Sequence, residues 1–110
     1  MKAVYIGCFD QAPNRIEGHL HRPQSWDDCA QEAASAGKRF FGLEFPEGAK
    51  TAGQSHCLLL ESLPSTAKKK ADSECAKEVF DGKNLGGANH LAVYDTAAGE
   101  RVPPPSPPFC

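Results

Sequence analysis

Ser25-Trp26-Asp27-Asp28-Cys29-Ala30-Gln31-Glu32-Ala33-Ala34-Ser35-Ala36-Gly37 is the stretch that decides the fold. The Ser25 hydroxyl can accept from a first-turn amide, and Asp28 can reach back in a capping box. Asp27 and Asp28 favour the positive end of a helix dipole. Helix formers follow, and Gly37 is suited to the left-handed stop. The pattern predicts one helix over 26–36. Outward from it the chain reads as strands. Val4 to Phe9 is β-branched and aromatic. Phe40 to Phe45 places Phe41, Leu43 and Phe45 on one face. His56 to Glu61 is an apolar run suited to a central strand, and His90 to Asp95 is a last strand. Residues 10–24 read as a loop around Pro13, Gly18 and Pro23. Residues 46–53 are turn-rich, and Asp81-Gly82 and Gly86-Gly87 mark turns. Glycines 7, 42, 86 and 87 read as framework positions, since glycine in a strand pattern marks a bulge or a close backbone approach and paired glycines reach positive φ cheaply. The expected fold is α+β: a small antiparallel sheet with one packed helix.

The chain has 110 residues, enough for one domain with a thin core. Its net charge of −2 gives no field to attract nucleic acid or an anionic membrane. No apolar run reaches the ~20 residues of a membrane span. Five cysteines stand far apart, at Cys8, Cys29, Cys57, Cys75 and Cys110. No pair has the close spacing of a zinc or redox motif, so disulfides and an oxidising compartment explain them better. Met1-Lys2-Ala3 runs straight into the first strand without a charged leader and apolar stretch, so the sequence reads as an excised or mature piece. From residue 97 the composition changes. Pro103, Pro104, Pro105, Pro107 and Pro108 cannot supply ladder hydrogen bonds and favour an extended polyproline conformation. The expected division is a domain over 1–96 and a proline-rich tail over 97–110.

Several motifs in order resemble the WSC domain, a cysteine-rich extracellular module. They are Tyr5-Ile6-Gly7-Cys8-Phe9, the helix start at Ser25 before Cys29, Phe41-Gly42-Leu43-Glu44-Phe45, and Gly86-Gly87 followed by Leu91-Ala92-Val93-Tyr94. The resemblance covers about residues 4 to 95. The family usually carries eight cysteines. Here four of those positions are Ala33, Leu59, Val79 and Leu85. An even loss fits a surviving disulfide framework. Four cysteines allow three connectivities, which the sequence does not decide. Within the resemblance, the inner face of the helix at Cys29 favours a bridge to the apolar strand at Cys57. That leaves Cys8 with Cys75.

The resemblance implies carbohydrate binding and no catalysis, with a glycan or cell-wall polysaccharide as partner and no cofactor. Sugar recognition needs an aromatic plane and fixed polar groups. Trp26, at the helix start, is the candidate plane, and Asn89 and His90 are candidate polar contacts. The stronger alternative is that Trp26, a first-turn aromatic, simply covers the junction between helix and loop. Other chemistry is weaker. His56 and Cys57 point to opposite faces of a strand, so one cannot readily activate the other. His19-x-His21 lacks a third nearby metal ligand. Lys68 to Lys70 reads as a solvated loop.

The proline tail resembles hydroxyproline-rich segments of extracellular glycoproteins, which implies O-glycosylation of those prolines after hydroxylation. Cys110 is the odd cysteine, expected to be free or to pair between chains. The alternatives are a PAN/apple-like module that binds an extracellular protein, and a self-associating filament subunit linked through Cys110 and the tail.

Overall fold

A computed structural model of the chain describes residues 3–11, 16 and 19–96, with the side chains of 19–22 left aside. The tail at 97–110, with its prolines and Cys110, lies outside the described residues. The strands are β1 (Val4–Asp10), β2 (His19–Ser25), β3 (Phe40–Glu44), β4 (Gln54–Leu60), β5 (Lys69–Lys70), β6 (Val79–Phe80), β7 (Lys83–Asn84) and β8 (His90–Asp95). One helix, α1 (Trp26–Ser35), follows β2. Six strands form a sheet in the order β2-β4-β3-β8-β1-β5, and every paired neighbour is antiparallel. β6 and β7 make a separate hairpin. The protein is therefore a small disulfide-stabilised α+β domain.

Local chemistry sets the helix limits. Ser25 Oγ accepts from the Asp28 amide at 3.1 Å. At the other end Gly37 takes φ +75°, its amide reaches the Ala34 carbonyl, and the Lys38 amide reaches the Ala33 carbonyl. These two bonds are a Schellman stop, which satisfies carbonyls that the helix leaves unpaired. The buried face of α1 is made of Cys29, Ala30 and Ala33. Such small side chains let the helix lie close to the sheet, where it packs with Phe41, Leu43 and Tyr94.

Cys29 is bridged to Cys57, joining α1 to β4, and Cys8 to Cys75, joining β1 to the short 3-10 turn at Asp72–Cys75. All four cysteines are fully buried. The sheet's other face carries a second cluster that includes Phe9, Phe40, Leu60 and Leu91. Gly42 belongs to this design, because a β-carbon there would fall 2.6 Å from the Leu91 side chain.

Three expectations are corrected. Lys69 and Lys70, read with Lys68 as a solvated loop, form β5 against β1. Residues 19–24, read as loop, belong to β2. β2 lies at the edge of the sheet, where only one side needs partners. Its Pro23 sits at a register shift against β4, the kind of place an edge strand tolerates proline. Phe45 does not continue the inward face of Phe41 and Leu43. It leaves the strand at φ 57°, ψ 54° and is partly exposed.

Register fixes the two ends of the domain. Val4 pairs with Asp95, so the chain enters and leaves the described domain side by side. At the opposite end β1 and β3 finish, β4 and β8 begin, and Ser25 pairs with Gln54 just before α1 starts.

Candidate functional site

That opposite end carries a shallow cleft of about 60 Å³ between the start of α1, Gly53 and the β6–β7 hairpin. The hairpin turns at Asp81 (φ 55°) and Gly82 (φ 76°). Positive φ at both central residues is the two-residue turn that matches the strand twist, and Asp-Gly suits it. The turn lifts Val79 and Phe80 into solvent, each about half exposed. The Phe80 ring rests against Gly53, where a β-carbon would fall 2.9 Å from it. Gly53 itself has φ +86°. Both features call for glycine, and together they let the ring settle on bare backbone.

Trp26 lines the same cleft. Its ring stands edge-on to Phe41 and Tyr94, with centroids 5.6 Å away in each case. The Lys83 ammonium lies 4.7 Å from the centre of the Trp26 ring, and 3.4 Å from Asp81 Oδ2. The indole thus serves as a wall packed into the core, with a cation over it. The open aromatic surface is Phe80. The exposed carboxylates of Asp27 and Asp81 complete the rim. Beneath it, Tyr94 donates to the Asn84 carbonyl at 2.9 Å, and burial pushes its phenol up to about 12. Tyr94 stays neutral and pins the base of the hairpin.

His90 begins β8 at this end of the sheet and Asn89 sits in the turn before it, but neither lines the cleft. The Gly87 and His90 amides each donate to the other's carbonyl at 3.0 Å. This closes a tight turn with Asn89 at φ 63°. The Asn89 carbonyl accepts from Gln11, and His90 Nδ1 lies 2.9 Å from the Ala88 carbonyl. Of the three sequence candidates only Trp26 lines the cleft, and Phe80, Asp27, Asp81 and Lys83, none of them singled out from the sequence, line it too. The available signal was Phe80-Asp81-Gly82-Lys83, an Asp-Gly pair between two short strands.

Elsewhere a larger open groove of about 490 Å³ runs past Ile16, Leu60, Leu63, Pro64 and Lys68. It presents no aromatic ring and borders residues outside the described set. His19 and His21 lie on β2, where their side chains are not described. Among the described residues, no three His, Cys, Asp or Glu side chains gather as a metal site. Among them, no helix is long and apolar enough to cross a membrane. The chain matches no protein-family model and no curated protein.

Proposed function

We propose that this chain is a non-catalytic, WSC-like extracellular module that binds carbohydrate on the Phe80 shelf. The observation that carries the reading is the half-exposed Phe80 ring, seated on Gly53 beside Asp27, Asp81 and Lys83. A sugar offers an apolar C–H face to a ring and hydroxyls to fixed polar groups. The two carboxylates can accept from hydroxyls, and the ammonium can donate. The cleft is too small to enclose a sugar, which suits a glycan or cell-wall polysaccharide lying across it. The reading gives Asp27 and Asp81 a hydrogen-bonding role and needs no cofactor.

Two buried disulfides support an oxidising, extracellular setting. The WSC likeness draws support from the core. Ala33 stands one helical turn from Cys29, and Leu59 two residues along the strand from Cys57. Each pair shares a face, and all four residues lie in one buried cluster. Apolar residues there are consistent with the loss of a second helix-to-strand bridge.

One observation favours a second reading, a PAN/apple-like protein-binding module. Val79 and Phe80 together form an apolar hairpin tip that a protein partner could cover. Filament assembly by strand addition has less support. β5 is two lysines long, and β2 carries Pro23 and a register shift, both of which blunt a sheet edge.

Co-sedimentation of the native, unreduced chain with insoluble cellulose, chitin and β-glucan tests the proposal. Wild type is expected to pellet with at least one of them, and Phe80→Ala to stay in solution. Failure to bind any polysaccharide, with capture of an extracellular protein that Phe80→Ala abolishes, would favour the second reading.

A further inference from the structure

Phe45 is the bulkiest of the described residues that take a positive φ. Its φ of 57° and ψ of 54° are left-handed, which is unusual for a bulky side chain. The position just before Pro46 should also be extended, because the proline ring crowds the residue ahead of it. The conformation is held from outside. The Phe45 amide donates to the Gly87 carbonyl, and its carbonyl accepts from the Gly48 amide, both at 3.0 Å. Such strain persists where the surroundings impose it, often at ligand contacts.

The strain does not serve burial. Phe45 is 39% exposed, although the strand it leaves buries every residue. Its ring lies over Gly48, where a β-carbon would fall 2.4 Å from it, and stands edge-on to His56 with centroids 5.5 Å apart. Phe80 is seated in the same way on Gly53. Between the two seats runs Gly48-Ala49-Lys50-Thr51-Ala52-Gly53, in which Lys50 is the one long side chain. Five residues of chain span at most ~17 Å, so the two glycine seats lie within that distance of each other, joined by a segment of mostly small residues.

Resting on the carbohydrate reading, we infer that Phe45 is a second ring contact for the same ligand. The ligand is then a linear glycan of several sugar residues that runs across the 48–53 segment, and not a single terminal sugar. One sugar packs on Phe80 and another on Phe45. The small side chains let the chain between them approach the backbone, and the exposed Lys50 ammonium can donate to hydroxyls. A terminal sugar would use Phe80 alone and would give no role to an exposed, strained Phe45.

The experiment is titration calorimetry of the native chain with cello-, laminari- and N-acetylchito-oligosaccharides, from disaccharide to hexasaccharide. Wild-type affinity is expected to rise with length in the series that binds. Phe45→Ala should lower hexasaccharide affinity roughly tenfold and leave the disaccharide unchanged. Phe45→Gly, which removes the backbone strain along with the ring, should bind like Phe45→Ala. Phe80→Ala should weaken every length. Equal affinity of wild type and both Phe45 variants at every length, with Phe80→Ala still defective, would overturn the inference and leave the carbohydrate reading standing. No binding of any series by wild type would overturn both.

Discussion

A β-carbon on Gly86 would fall 2.1 Å from the carbonyl oxygen of Leu43. Gly86 also takes φ +88°, and its amide reaches the Cys75 carbonyl at 2.8 Å. The segment leading from the hairpin into β8 is thus seated against the backbone of β3, with no room for a side chain. Gly86→Ala combines positive-φ strain with a backbone clash, and we expect a loss of about 3 kcal/mol or more. Gly7→Ala is the contrast. There a β-carbon would meet only the flexible end of Lys69, and the expected cost is about 1 kcal/mol or less. Urea titration of the two variants checks both values.

The two disulfides should differ in what they protect. Cys8–Cys75 closes a sequence separation of 67 and Cys29–Cys57 one of 28. In the chain-entropy account each contributes about 2–4 kcal/mol, with the longer loop ahead by less than about 1 kcal/mol. Cys8–Cys75 also anchors the segment that leads to the β6–β7 hairpin. Cys8→Ala/Cys75→Ala should therefore raise amide exchange over residues 76–87 far more than Cys29→Ala/Cys57→Ala does. Equal exchange there in both variants would remove this assignment.

The phenols make the fold sensitive to base. Burial raises Tyr94 from 10.0 to about 12, and burial followed by the Asp72 hydrogen bond raises Tyr5. A raised acid keeps its proton when folded after the unfolded chain has lost it. The stability is complete below pH 10 and falls as pH rises through the folded value. For Tyr94 the loss between pH 10 and 12 is about 2–3 kcal/mol. Tyr94→Phe should flatten that decline in a series of urea melts. At neutral pH it should cost about 1 kcal/mol, the net value of the bond to the Asn84 carbonyl.

Lys83 covers Trp26, so removing it should be visible optically. Lys83→Ala is expected to shift Trp26 emission to the red as water reaches the ring, at a cost of about 0.5–1 kcal/mol. An unchanged spectrum would mean that Lys83 does not shield the indole in solution.

The sequence made the helix legible because its two ends are written in side chains. Ser25 and Asp28 start it, Gly37 stops it, and the observed Trp26–Ser35 ends one residue before the expected limit. The four long strands flanking it were legible from their apolar and β-branched content. β2 was not, because its sequence, His-Leu-His-Arg-Pro-Gln-Ser, is polar and carries a proline that only an edge strand with a register shift tolerates. Phe45 was misread because alternation says nothing of a backbone that turns left-handed under contacts from Gly87 and Gly48. The cleft was half legible. Trp26 stood out as the one indole, but Phe80 lies on a strand two residues long, below any periodic signal. What makes its ring available is Gly53, 27 residues earlier, a contact set by tertiary packing alone.

Amide and indole NMR shifts of the isotope-labelled native chain, followed during titration with the oligosaccharide it binds, test the carbohydrate reading most directly. Trp26 is the only tryptophan, so its indole N–H gives one unambiguous signal in the wall of the cleft. Shifts are expected at that signal, at the amides of residues 80–83 and at Gly53, extending to residues 45–52 with the longer oligosaccharides, with the Val4–Asp95 end unmoved. Shifts confined to the groove along Leu60, Leu63 and Lys68, or none at saturating ligand, would contradict that reading.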